Sequence, residues 1–553
     1  MALFSELRRR NVFKVALLYA IASWLIIWFV EALQARVTLP VWTETFALFM
    51  LAVGFPIALW FAWTYEITPV GLKKAVEVDQ TQSIVYKTGQ KLNAAVAVLL
   101  VLGILAVFGQ RLLPKFEFIL PGIPEGDAPL SSDSPQEIRS LTLDNGLKVI
   151  VWPDHDIPNI TMYTFVRAGA RNEYPGITGV SHFFEHMMFL GTDDLPPKEF
   201  DRVMEAAGGA NNAYTTTDVT VYTDWFPRSA LETIFELEGD RFENLKIDPD
   251  VFNSEREVVY SERRSGIDNN NVWKLSEQIQ ATAFLAHPYQ FTVIGWPSDI
   301  ESWTQEDLVN YYRTYYAPNN RTVVITGDIT PQRAFGLAGK YFAPTSAQPP
   351  PPPVRTVEPE QMGVRRIVVE ATAQTPLLQM AFHMGRAADR EALVMTLLLN
   401  ILTEGDSSRL HKLLVEELQL VISVDSYQDE GFDPGLAWLA MTLPPGGKPD
   451  SVERRVIAEL QRVIDDGVSE DELTKAKNIV LSDHWRGLAT ISGKASALGT
   501  FEVFHGDYEK LFALPDTLES VTTEDVRSVA GEVFRVNNMT VGVLLEPQPE
   551  DAG

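Results

Sequence analysis

Cysteine is absent from all 553 residues. That excludes disulfides and any thiolate-bound metal, so a metal site here must be built from histidine and carboxylates. The absence suits an oxidising compartment without implying one. Histidine is scarce too, with eight in the chain, yet two stand four residues apart inside the apolar run GVSHFFEHMMFLGT, Gly179 to Thr192. Basic residues are in deficit, and the net charge is −27. Residues 1–116 hold 11 Lys and Arg against 6 Asp and Glu, so the whole acid excess lies beyond them. An acidic body of this kind lacks the basic face that nucleic-acid binding needs. It could favour basic peptides, although acidic surfaces mostly serve solubility. Apolar residues are plentiful at 46%. That is ample for real cores and excludes global disorder, and the length suggests three or four structural units.

Three apolar stretches open the chain, at about 12–33, 46–65 and 92–108. The second, Phe46 to Tyr65, runs twenty residues without a charge, long enough to cross a bilayer core. No small-residue cleavage site follows the first, so three transmembrane helices are predicted rather than a signal peptide. Arg8, Arg9, Arg10 and Lys14 flank the first stretch, and Lys73, Lys74, Lys87 and Lys91 lie between the second and third. Positive loops stay cytoplasmic. The rest of the chain is therefore expected on the far side, which in a bacterial inner membrane is the periplasm. Residues 117–137, rich in Pro, Gly and Ser, read as a linker. A second linker is expected at 346–360 around the run Pro349 to Pro353.

Two long blocks flank that second linker, 138–345 and 361–548. PSDIESWTQEDLVNYYRTYYAPNNRTV from Pro297 and PDTLESVTTEDVRSVAGEVFRVNNMTV from Pro515 align without a gap at an offset of 218. So many identities in one register predict a duplicated domain. Alternating runs such as LTLDNGLKVIVW, with a turn at Asp144-Asn145-Gly146, predict strands and a hairpin. Longer amphipathic runs such as REALVMTLLLNILT predict helices. The expected fold is α+β: two duplicated halves, each an antiparallel sheet plus helices, behind the membrane segment.

On a helix, His182 and His186 share a face and can reach one ion, with Glu185 projecting beside them. A zinc ion lowers the pKa of water toward ~7, and a nearby carboxylate can take the proton. A third protein ligand is then required. SEREVVYSERR, Ser254 to Arg264, places Glu255 and Glu262 two helical turns apart on one face. By itself that stretch reads equally as a solvated helix surface.

The H-x-x-E-H order, together with GGANNAYTTTDVTVY (Gly208 to Tyr222) and HPYQ (His287 to Gln290), resembles the pitrilysin/insulinase family of zinc metallopeptidases. That family includes the mitochondrial processing peptidases, and the resemblance runs from about 138 to 546. It implies His182, His186 and Glu262 as ligands to one zinc ion, Glu185 as general base and Glu255 as the companion acid. It also implies that Asn212, Ala213 and Tyr214 pair with an extended substrate, although a plain core strand suits Tyr214 as well. His287 would support the site or simply pack. The second half carries no metal motif. The Arg and Tyr that active relatives use on the substrate carbonyl fall on Val415 and Ile422, neither of which can donate a hydrogen bond. The expectation is a membrane-anchored zinc metalloendopeptidase acting on peptides or unfolded polypeptides. In one version a homologous subunit supplies the Arg and Tyr in a hetero-oligomer. The alternative is a catalytically silent scaffold or partner subunit.

Overall fold

The run LTLDNGLKVIVW folds as the predicted hairpin, and Gly146 turns it at φ 85°. The structure, a computed structural model, describes residues 137–547 together with Tyr19, Ser23, Leu51, Phe55, 65–68 and 71–74. The chain divides into two compact units, 1–125 and 126–553. In the first, strands β1 (Tyr65–Thr68) and β2 (Gly71–Lys74) pair antiparallel. The three predicted membrane spans lie almost wholly outside the described residues, as does the linker 117–137. Tyr65, expected to close the second span, instead opens β1. Among the described residues no helix is long and apolar enough to cross a membrane.

The second unit holds two sheets. One contains β3 (Arg139–Thr142), β4 (Lys148–Pro153), β5 (Asn159–Val166), β6 (Ala210–Thr215), β7 (Thr220–Pro227) and β8 (Arg321–Gly327), in the order β3-β4-β8-β5-β7-β6. The other contains β9 (Arg365–Glu370), β10 (Leu377–His383), β11 (Ser423–Gln428), β12 (Leu436–Thr442) and β13 (Met539–Leu545), in the order β11-β12-β10-β13-β9. Apart from β3, the two orders are the same. Neither sheet is wholly antiparallel, which corrects the expectation. β4 lies parallel to β8, and β9 lies parallel to β13. Between the members of each pair the chain runs through three further strands and several helices, a connection long enough to bring it back in the same direction, as a parallel neighbour requires.

The duplication extends to single hydrogen bonds. Helix Gln305–Tyr315 starts with a capping box of Thr304 and Asp307, and helix Thr523–Val533 starts with one of Thr522 and Asp525. The Asn320 amide donates to the Tyr315 carbonyl, and the Asn538 amide donates to that of Val533. The likeness breaks at the prolines. Pro297 opens helix Pro297–Ser302, whereas Pro515 lies inside helix Lys510–Glu519.

The halves are joined by exchanging helices. Helix Asn271–Ala283 of the first half lays Leu275 and Ile279 on the second sheet, against Leu377 and Leu544. Helix Ile491–His505 of the second half lays Ala495 and Leu498 on the first sheet, against Phe165 and Val324. A polar clasp secures the pair. Tyr289 donates to Asp218 at 2.8 Å, while Asp433 of the second half accepts from Arg171 at 2.6 Å and meets His287 Nε2 at 3.1 Å. Glu358, in the Pro-rich connection, accepts from the backbone N–H groups of Leu285, Ala286 and His287.

Candidate functional site

The two histidines lie on helix Val180–Met187. Its entry is set by Gly179 at φ 87°, where a Cβ would collide with the Ile294 carbonyl. The carboxylate of Glu173 accepts from the N–H groups of Gly179 and Ser181 at 2.7 and 2.8 Å, satisfying donors that a helix start leaves free. Burial pushes the Glu173 carboxyl up to about 7 despite these bonds. Phe183, Phe184 and Met187 anchor the helix in the core, so His182, Glu185 and His186 face the opposite way. Opposite runs helix Pro249–Arg263, N-capped by Asp248, which carries Glu255 and Glu262.

These elements bring the candidate ligands together. Nitrogen and oxygen atoms of His182, His186 and Glu262 all lie within 4.8 Å of one another. Glu262 Oε2 is 3.8 Å from His182 Nε2 and 3.5 Å from His186 Nε2. Glu255 Oε1 meets His186 Nδ1 at 2.7 Å, turning Nε2 toward the shared point. Thr215 donates to Glu185 Oε2 at 2.6 Å. Burial, reinforced by the neighbouring His186, holds His182 down at about 4, leaving the imidazole neutral with a lone pair to offer. Burial also pulls His186 down, but the Glu255 carboxylate outweighs it and the net shift is upward. Glu185 is raised, chiefly by burial and against the Thr215 hydrogen bond. Two imidazoles and one carboxylate make a donor set suited to zinc, with room for a fourth ligand.

The cluster opens onto a cavity of about 460 Å³ lined by His182, Glu185, Thr215 and, from farther along the chain, Trp273, Tyr427 and Trp438. β6 is the last strand of its sheet, so one edge of its backbone has no strand partner there. Ala213 and Tyr214 line the cavity from that strand, and Asn212 accepts from Thr223 through its carbonyl. His287 is buried in the clasp between the halves and does not line this cavity. Val415 packs against the core of the second half, and Ile422 is exposed. Neither lines the cavity.

Three contributors were not singled out by sequence. Thr215 follows Tyr214 directly in the edge-strand motif, so its neighbourhood was the available signal. Tyr427 and Trp438, whose rings stack 5.3 Å apart, reach the cleft only because the second half packs there.

Residues 149–295 match the family model for insulinase (peptidase family M16), and residues 302–480 match that for the peptidase M16 inactive domain. A zinc protease of Helicobacter pylori, PqqE, is 29% identical over 416 residues, 74% of this chain and 93% of that protein. The crystal structure of a protease from Helicobacter pylori superposes with a TM-score of 0.72 at 28% identity, covering 74% of this chain and all of the other. The periplasmic protease PqqL from Escherichia coli shares the fold with a TM-score of 0.62 at 18% identity, over 75% of this chain and 48% of its own.

Proposed function

The chain belongs to the insulinase (M16) family of zinc peptidases, and on that premise we propose that it is a membrane-anchored metalloendopeptidase cleaving peptides or unfolded polypeptides. The observation that carries this reading is the convergence of His182, His186 and Glu262 within 4.8 Å, beside Glu185, on a cavity bordered by an edge strand. His182, His186 and Glu262 would hold the zinc ion. When bound, zinc supplies Lewis acidity toward a peptide carbonyl and toward water.

The chain's own groups do the rest. Glu185, raised above the ordinary carboxylate range and steadied through Oε2 by Thr215, takes a proton from water and returns it to the leaving amine. Glu255 holds the His186 ring by its far nitrogen. The open edge of β6 can pair with the backbone of an extended peptide, with Asn212, Ala213 and Tyr214 along it. Membrane anchoring and a periplasmic location rest on the apolar stretches and the Lys and Arg distribution of residues 1–116.

Val415 and Ile422 supply no donor for the substrate carbonyl. Such a donor is typically worth ~10²–10³ in rate. A homologous partner subunit contributing Arg and Tyr would restore it. The same gap favours a second reading, a weakly active or silent partner subunit.

The test is hydrolysis of an unfolded peptide mixture by the full-length, zinc-loaded protein in detergent. Glu185→Gln is expected to lower the rate about 10²–10⁴-fold while leaving zinc content unchanged. Bound zinc without cleavage in either form, restored by a co-purified homologue, would select the partner-dependent form of the reading. Bound zinc with no cleavage even then would select the silent subunit.

A further inference from the structure

The second half contains a cavity of about 450 Å³ at the place that duplication makes equivalent to the metal cleft. The strand registers establish the correspondence. Asn320 and Asn538, 218 positions apart, donate to the carbonyls of Arg167 and His383, so Met162 corresponds to Leu378, and these face Asp224 and Met441 across their sheets. These in turn face Asn211 and Val424. Followed along the edge strands, Thr215 corresponds to Gln428, and Thr217, which lines the metal cleft, corresponds to Glu430. Helix Arg390–Thr403 packs on β11 through Gln428, whose amide donates to the Ala392 carbonyl and to Thr396. The histidine helix meets β6 in the same manner, through Glu185 and Thr215. Even the exchanged helices correspond. Asn271–Ala283 borders the metal cleft, and Ile491–His505 borders this cavity through Phe501.

The chemistry has changed while the hollow has remained. Leu393, Val480 and Leu514 line it, and among the described residues no group of three histidines or acids gathers there as at the metal cleft. Four charged residues line it as well: Asp389 and Arg390, which pair with Arg386 and Asp525, and Glu430 and Lys510. Among the described residues Glu430 and Lys510 are not paired with each other. Glu430 makes no hydrogen bond, and Lys510 donates only to the His505 carbonyl at 2.9 Å. Both residues are exposed to solvent as well as to the cavity, and desolvation raises the Glu430 carboxyl. Gln428 Oε1 is buried without a partner in the same wall. The volume falls within the range of about 300–1,000 Å³ common for small-molecule sites.

We propose that this cavity, the duplicate of the metal cleft, binds a small zwitterion with an apolar body, an apolar amino acid or dipeptide whose ammonium meets Glu430 and whose carboxylate meets Lys510. Short peptides are also what the proposed peptidase would release, but this binding does not depend on that reading.

The test is calorimetric titration of the full-length protein in detergent, carrying Glu185→Gln so that nothing is hydrolysed. The probes are leucyl-leucine, its N-acetyl derivative and its C-terminal amide. Leucyl-leucine should bind, and each cap should weaken binding at least tenfold. Glu430→Gln should abolish the penalty of the acetyl cap alone, and Lys510→Met that of the amide cap alone. Leu393→Trp, which fills the cavity, should abolish binding. The inference is overturned by an absence of binding at millimolar dipeptide. It is equally overturned by caps that make no difference, or by binding that survives both charge variants unchanged. Binding lost on zinc removal but retained in Leu393→Trp would place the dipeptide in the metal cleft and also overturn it.

Discussion

Glu255 lies outside the triangle of ligand atoms, yet its 2.7 Å contact with His186 Nδ1 decides which nitrogen of that ring is free for a metal. Groups that orient a ligand in this way are typically worth 10–100-fold in metal affinity. Glu255→Gln should therefore weaken zinc binding by roughly that factor, read by competition with a chromophoric chelator, while far-ultraviolet circular dichroism stays unchanged. At this scale the sequence was highly informative. The i, i+4 spacing of His182 and His186, and the two-turn spacing of Glu255 and Glu262, are local consequences of helical geometry. That the second pair faces the first is not a local property. It was reached by family resemblance, and the structure brings the four side chains together.

The exchanged helices are the elements on which the pairing of the halves depends, and small residues let them approach. A Cβ on Gly499, in helix Ile491–His505, would land on the Phe165 ring beneath it. Replacing glycine by alanine inside a helix ordinarily gains about 1 kcal/mol. Here the ring belongs to a packed sheet face and has little room to yield. Gly499→Ala should instead destabilise the protein by roughly 1–3 kcal/mol, measured as a lowered urea midpoint with an unchanged slope. Element types were well read from the pattern. The run from Arg390 to Thr403 is a helix with those ends, and the hairpin turns at Asn145-Gly146. Strand direction was not, because a residue pattern specifies which face is buried but not which way a distant neighbour runs. Hence the unexpected parallel pairs β4–β8 and β9–β13.

Across the whole second unit, the clasp at Asp218 makes stability depend on pH. Burial, opposed by Tyr289 and Arg171, holds the Asp218 carboxyl up at about 6 against an ordinary 3.8. Between those values the folded protein keeps a proton that the unfolded chain has released. Stability contributed here is therefore present below about pH 4 and is lost as pH rises through about 6. The full displacement corresponds to about 3 kcal/mol. Asp218→Asn should flatten the pH dependence of the urea midpoint across that window relative to the unaltered protein. A parallel offset between the two curves would assign the dependence to other groups.

What the sequence determined by itself is whatever short-range geometry dictates: the absence of thiolate sites, the histidine face of one helix, the acid face of another, the hairpin, and the 218-residue repeat. The tertiary structure alone decided how the repeats use one another. Tyr427 and Trp438 wall a cleft whose metal ligands lie more than 160 residues earlier. His287 serves the clasp, and the repeat of the cleft persists as an apolar cavity. The reason is physical. An apolar helix face specifies that it must be buried, but not against which sheet, and only the packing of both halves together selects the partner.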